Sequence, residues 1–246
     1  MVYTVLILRP SIYPSPLSLV SSDNELSPEC LDACNSFLKA DGISIPSSYT
    51  SLVAPVQSTK LHQNVRSYRE DDKAFDAGFE TPYVANLHNC LRLTPAQPLF
   101  TFRHPNWNRT SSSCSSKSTS SSSSKYSSSS SSSSESNERF ETVTFRLPES
   151  AVDATVDGFC GYFHADLYGK YFISIVPEDH TQGMFSWFPF YLPIRSPIHL
   201  KPGAELTACF WRRVREEKSV WYEWAILEPV PSIIHNSGGA ASAIGL

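Results

Sequence analysis

The chain has 246 residues, 41% hydrophobic and 12% aromatic, enough for one domain with a sizeable core. A formal net charge of -4 without a basic stripe argues against nucleic acid as the main partner. No apolar run is long enough for a membrane-spanning helix. The apolar start, residues 1–10, lacks a basic n-region and is followed by Pro14 and Pro16, so it reads as neither a span nor a secretory signal.

Residues 1–22 are irregular and proline-rich and take no assignment. "LSPECLDACNSFL", residues 26–38, predicts a short helix with Ser27 as N-cap, Pro28 at the first helical position, Glu29 in the first turn and Gly42 as its stop. From Ile43 onward strand signals dominate: "SSYTSLVAPV", then, after the polar span 66–80, "YVANLHNCLRL", "PLFTFRH", "FETVTFRL", "GFCGYFHADLYGKYFISIV", "MFSWFPFYLPI", "ELTACFWRRV" and "SVWYEWAIL". Period-two alternation puts Val143, Phe145 and Leu147 on one face, and Leu206, Ala208 and Phe210 on another. Gly158, Gly161, Gly169, Pro202-Gly203 and the charged run 212–219 supply turn signals. Many short strands with almost no helix predict a mainly β fold, an antiparallel β-barrel preceded by a short helical connector. Residues 111–136 are almost pure serine and bury too little to offset the entropy of ordering them. They are expected to be a disordered insertion, inert or a phosphorylated regulatory loop.

Six cysteines (30, 34, 90, 114, 160, 209) form no Cys-x-x-Cys and no zinc-ligand spacing, and the seven histidines are scattered singly. No metal is expected, and free thiols suit a reducing compartment. The sequon at Asn108 would matter only in a secreted protein. No glycine-rich turn joins a strand to a helix, so the chain carries no visible site for a nucleotide or adenosyl cofactor.

"HTQGMFSWFPFYLPI" gathers Phe185, Trp187, Phe188, Phe190 and Tyr191 beside two prolines. Two readings stand. One is a core strand with a proline-bounded edge. The other is a wall for a flat or cationic ligand, since aromatic faces attract guanidinium.

The ordered runs "DNELSPECLD", "DGISIPSSYTS", "APVQSTKL", "PYVANLHN", "QPLFTFRHPN", "GFCGYF", "GMFSWFP", "FWRR…VWYEWA" and "IHNSGG…IGL" closely resemble the carboxy-terminal region of the type II, symmetric-dimethylating protein arginine methyltransferase family. The resemblance covers most of the chain; the serine tract departs from it. It implies a three-part enzyme: an amino-terminal TIM barrel, an S-adenosylmethionine-binding Rossmann domain and the carboxy-terminal β-barrel represented here. Residues 23–45 then correspond to a remnant of the catalytic substrate loop and its connector. Residues 46–246 correspond to the oligomerisation barrel, with 66–80 as a dimerisation arm.

The resemblance also implies roles for residues. In the family two glutamates nine positions apart grip the substrate arginine, because two carboxylates neutralise and orient a planar five-donor fork. Glu25 matches the second glutamate as the catalytic residue carried over. The first falls at Pro16, which offers no charge, and residues 1–22 read as unrelated sequence from a truncated or misread gene. Phe185, Ser186, Trp187 and Phe188 match the substrate-binding segment: Trp187 and Phe188 would line the arginine channel, and Ser186 would order the loop. Phe190 and Tyr191 fall to structure.

By ancestry the chain is expected to serve S-adenosylmethionine-dependent arginine dimethylation of histone and spliceosomal proteins, in cytoplasm and nucleus. Homo-oligomers and a WD-repeat partner are implied for the full-length family. By its own chemistry the isolated chain is expected to bind no S-adenosylmethionine and to be a non-catalytic oligomerisation or protein-binding domain.

Overall fold

The computed structural model describes residues 28–34, 37–39, 41–67, 77–85, 90–106, 137–184, 187–215 and 219–245. In chain order these form α1 (Pro28–Cys34), β1 (Ser48–Gln57), α2 (Thr59–Ser67), a 3₁₀ turn (Ala77–Glu80), β2 (Tyr83–Val84), β3 (Leu91–Arg92), β4 (Gln97–Arg103) and β5 (Arg139–Arg146). Then follow β6 (Ala154–Tyr168), β7 (Tyr171–Ser174), β8 (Phe190–Leu200), β9 (Glu205–Arg215), β10 (Ser219–Glu228) and β11 (Ile244–Gly245). The residues expected to form the amino-terminal segment 1–22, most of the arm (68–76) and the serine insertion (111–136) lie outside the described set.

β6 organises the fold because both of its faces are buried. Phe159, Phe163 and Ala165 are sealed on one side, and Cys160 and Tyr162 on the other. β6 pairs with β1 along one edge and with β8 and β7 along the other. With β2, β3 and β4 these make a seven-stranded sheet. The second sheet has four strands in the order β11-β10-β9-β5. Every described strand pairing is antiparallel, so the mainly β, antiparallel expectation is met. Phe159 joins the two sheets, meeting Phe210 edge-on at 5.1 Å and Phe145 at 6.1 Å. Near the β4–β5 seam, Gln97 Nε2 donates to the Thr144 carbonyl at 3.1 Å.

The predicted alternation holds: Val143, Phe145, Leu147, Leu206, Ala208 and Phe210 are all buried. Pro55 is tolerated inside β1 because it stands at the break between the β4-paired stretch (48–53) and the β3-paired stretch (56–57).

Three details differ from expectation. The first helix stops at Cys34, and Gly42 instead donates its N–H to Lys39 O in a separate turn. The run 83–93 is not one strand: β2 pairs with β8 and β3 with β1, so the chain changes partner between them. Finally, α2 was not foreseen. Its polar sequence hides one apolar pair, Leu61 and Val65, spaced four apart and packed on the core.

Candidate functional site

The aromatic segment enters β8 under tight backbone control. Ala85 N donates to Pro189 O at 3.0 Å, Tyr83 and Val84 pair with Tyr191 and Phe190, and Phe190 packs where Gly161 leaves room for it. Phe190 and Tyr191 are buried, as the structural reading required. Tyr191 donates its hydroxyl to Asp157 O at 2.7 Å. Burial, reinforced by the nearby Asp157 charge, holds its phenol well above the ordinary range.

Just before them, Trp187 is partly buried, with its ring edge-on to Phe163 at 5.3 Å and 76°. Phe188 is 45% exposed. The segment thus contains two kinds of aromatic: a strand anchor inside the core, and a packed-plus-open pair at its mouth. Phe185 and Ser186 lie outside the described residues.

The loop leading to this pair is fastened to β6. Ser174 is buried, donates its hydroxyl to Asp179 Oδ1 at 2.5 Å and its backbone N–H to Thr181 Oγ1 at 2.9 Å, and accepts from Thr181 N at its carbonyl. Asp179 Oδ2 lies 2.7 Å from Nδ1 of His164, whose ring stacks on Phe172. His164 neighbours Phe163, the residue that holds Trp187, so one stretch of β6 supports both loop and ring.

Glu25 also lies outside the described residues, but the helix that follows it does not. Glu29 in α1 receives both terminal nitrogens of Arg212, at 3.0 and 2.7 Å, and Arg212 donates further to Asn137 O at 2.8 Å. Asn137 donates to Asp32 Oδ2 at 2.9 Å, and Asp32 Oδ1 lies 3.7 Å from Nδ1 of buried His104. Arg212 and Arg139 both sit over the Phe102 ring, which stacks on Tyr49. The sequence reading missed this network. A signal was present: in β9 the inward face Leu206, Ala208, Phe210 continues to position 212, so the alternation itself buries an arginine.

The 3₁₀ turn at Ala77–Glu80 is likewise tied down. Glu80, closing the 3₁₀ turn, bonds Arg195 at 3.0 Å and the backbone N–H of Asn236. Asn236 stands in the left-handed region at φ 54° and uses both side-chain atoms to bind Tyr222, Ala241 and Ser242. Its neighbour His235 stacks on Trp224 at 5.3 Å and accepts from Arg195 N through Nε2. Burial, with the Arg195 charge adding, lowers its pKa to about 4. The "IHN" motif is therefore a structural lock between β8, β10 and the 3₁₀ turn.

The described residues do not fit an adenosylmethionine site. All described pairings are antiparallel, and the turn from β1 into α2 is Ser58 alone, whose N–H is taken by Asp157 Oδ2 at 2.8 Å. Among the described residues no group of His, Cys, Asp and Glu could hold a metal ion, and no helix is long and apolar enough to cross a membrane.

Comparison with known proteins gives these features a lineage. The model for the PRMT5 oligomerisation domain matches residues 48–244. Protein arginine N-methyltransferase 5 of Xenopus laevis is 43% identical over 224 residues, 91% of this chain and 31% of that protein. The protein of that name from Oryza sativa subsp. indica is 42% identical over 91% of the chain and 30% of its own length. Protein arginine N-methyltransferase skb1 of Schizosaccharomyces pombe is 35% identical over 82% and 29%. The chain thus spans about a third of the length of these relatives. Among solved structures, the Trypanosoma brucei PRMT1 enzyme-prozyme heterotetrameric complex with AdoHcy aligns at TM-score 0.54 and 13% identity, over 89% of this chain and 64% of that one. With the family model covering both sheets, the chain belongs to the PRMT5 oligomerisation-domain family, the carboxy-terminal region of protein arginine methyltransferases.

Proposed function

We propose that this chain supplies the oligomerisation barrel and one wall of the arginine channel of a symmetric-dimethylating protein arginine methyltransferase. The observation that carries the reading is the Trp187–Phe188 pair. One ring is locked edge-on against Phe163, and the next is 45% exposed at the mouth of a strand whose backbone is pinned. Such a pair offers a flat apolar surface to a guanidinium, which is weakly hydrated and stacks on aromatic faces. Glu25 would supply a carboxylate to the same fork, and the Glu29–Arg212 pair holds the helix that follows it. In this reading the methyl donor is held by another part of the whole enzyme, and histone and spliceosomal arginines are the substrates.

The isolated 246-residue chain then acts as a binding and oligomerisation module, with the span 66–80 as the arm that reaches a partner. Sedimentation of the chain should show self-association, and a strictly monomeric species at high concentration would count against the arm. For the channel, the test is a chimera in which this region replaces its counterpart in the frog relative. With Glu restored at position 16, it should dimethylate an arginine peptide symmetrically. Trp187→Ala should abolish most of that activity while leaving assembly intact; undiminished activity in that variant would overturn the wall.

A further inference from the structure

One histidine outside the aromatic segment is held from three sides. His164 on β6 has Nδ1 2.7 Å from Asp179 Oδ2 and Nε2 3.5 Å from Asp166 Oδ1, and its ring lies flat on Phe172 of β7. Neither carboxylate is loose. Asp166 accepts from Ser48 Oγ at 2.7 Å, at the start of β1. Asp179 accepts from Ser174 Oγ through its other oxygen, and its N–H closes a turn on Val176 O at 3.1 Å. Val176 N on Ser174 Oγ and Thr181 N on Ser174 O, at 3.0 and 2.9 Å, complete that turn. Thr181 stands six residues before Trp187.

We infer that His164 is a positioning residue for the arginine channel. It fixes the turn 175–181, and through that turn the segment that presents Trp187 and Phe188; the role rests on the reading of those two rings as the channel wall. The contacts are too open to act mainly through stability. The side chains of His164, Asp179 and Asp166 are 28%, 38% and 60% exposed, and ion pairs so open to water add little to folding.

What they supply is direction. A carboxylate only accepts, so Nδ1 carries a hydrogen toward Asp179, and the stack on Phe172 keeps the imidazole from turning away. Phe163, the next residue back along β6, meets the Trp187 ring edge-on. Neighbouring residues of one strand therefore hold both ends of the stretch from the turn to the wall. Releasing the His164 end lets the wall shift while the barrel stays folded, and small misplacements of a binding surface are costly.

The test labels the full chain with 5-fluorotryptophan and follows the fluorine resonance of Trp187, identified by its absence in Trp187→Phe. His164→Phe keeps an aromatic ring beside Phe172 but offers Asp179 no donor. It should shift or broaden the Trp187 resonance, leave those of Trp211, Trp221 and Trp224 in place, and leave the urea midpoint unchanged. In His164→Asn the amide donates where Nδ1 did, so the resonance should return to its parent position. In the chimera with the frog relative, carrying Pro16→Glu, His164→Phe should raise KM for an arginine peptide roughly tenfold at nearly constant kcat, and His164→Asn should restore it. An unmoved Trp187 resonance in His164→Phe overturns the inference, as does equal displacement in His164→Asn. So do movement of all the tryptophan resonances together, which marks a general stability residue, and an unchanged KM. The fluorine measurement needs no activity: a silent parent chimera, or undiminished activity in Trp187→Ala, counts against the wall alone, and the resonance still decides whether His164 sets Trp187.

Discussion

Arg212 has no solvent exposure, and both of its terminal nitrogens are committed to the carboxylate of Glu29, whose side chain is 8% exposed. A guanidinium on the inward face of a strand is costly unless a carboxylate meets it in the same dry space. The pair binds a helix four residues beyond Glu25 to a strand near the other end of the chain. It therefore sets where the amino-terminal connector can sit.

Arg212→Ala leaves Glu29 buried without its cation and should cost about 3 to 5 kcal/mol. Arg212→Met combined with Glu29→Gln removes both charges and should recover most of that loss. Urea denaturation of the two variants decides it. Equal destabilisation in both would show that the charge pair is not what holds the helix.

Gly158 lies opposite Pro193 across the β6–β8 ladder, with the Tyr191 ring packed over it. A Cβ there would stand 2.5 Å from Leu192 O and 2.6 Å from the Tyr191 ring. One of those neighbours is backbone, so the strands themselves must move. Gly158→Ala should lose at least about 2 kcal/mol by thermal or urea unfolding. Gly169→Ala offers a contrast: no atom approaches its position, and its cost comes from φ 61° alone, about 1 kcal/mol.

His235 makes stability depend on pH. Its folded pKa, about 4, lies below the ordinary histidine value of 6.5. Between those values the unfolded chain binds the extra proton, so stability rises with pH across that window. The contribution is complete above pH 6.5 and is eroded as pH falls towards 4, by about 3 kcal/mol in all. His235→Gln should be less stable at neutral pH but should lose that part of the slope. Denaturant midpoints at several pH values check this, and an unchanged slope would remove His235 as the cause.

Trp187 and Phe188 should separate by stability. Trp187→Ala removes an edge-on contact with Phe163 and should cost about 2 kcal/mol. Phe188→Ala, 45% exposed, should stay within about 0.5 kcal/mol of the parent. A large stability loss at Phe188 would mean that it is a core residue rather than a surface offered to a ligand.

Much of this was legible in the sequence, and the reasons are local. Alternation with period two needs only a pleated strand with one dry face, so the buried sides of β5 and β9 could be read directly from residues 143–147 and 206–210. The absence of a glycine-rich strand-to-helix turn bears on cofactor binding without any knowledge of packing. The ordered motifs were specific enough to indicate the family before any contact was known.

Packing in three dimensions decided the rest. No local rule says that Arg212 meets Glu29, that Trp224 stacks on His235, or that Tyr83 pairs with Tyr191. Each partner lies more than ten residues away and arrives only because the strands pair as they do. The five neighbouring aromatics could not be sorted by spacing. Phe190 and Tyr191 are buried because β2 and Gly161 receive them, whereas Trp187 and Phe188 lie one step short of that ladder. The sequence by itself determined the strand-rich class, the inward faces and the lineage, because side-chain alternation and residue type act over a few positions. Only the tertiary structure decided which charges and rings share a dry space, because that depends on which strands become neighbours.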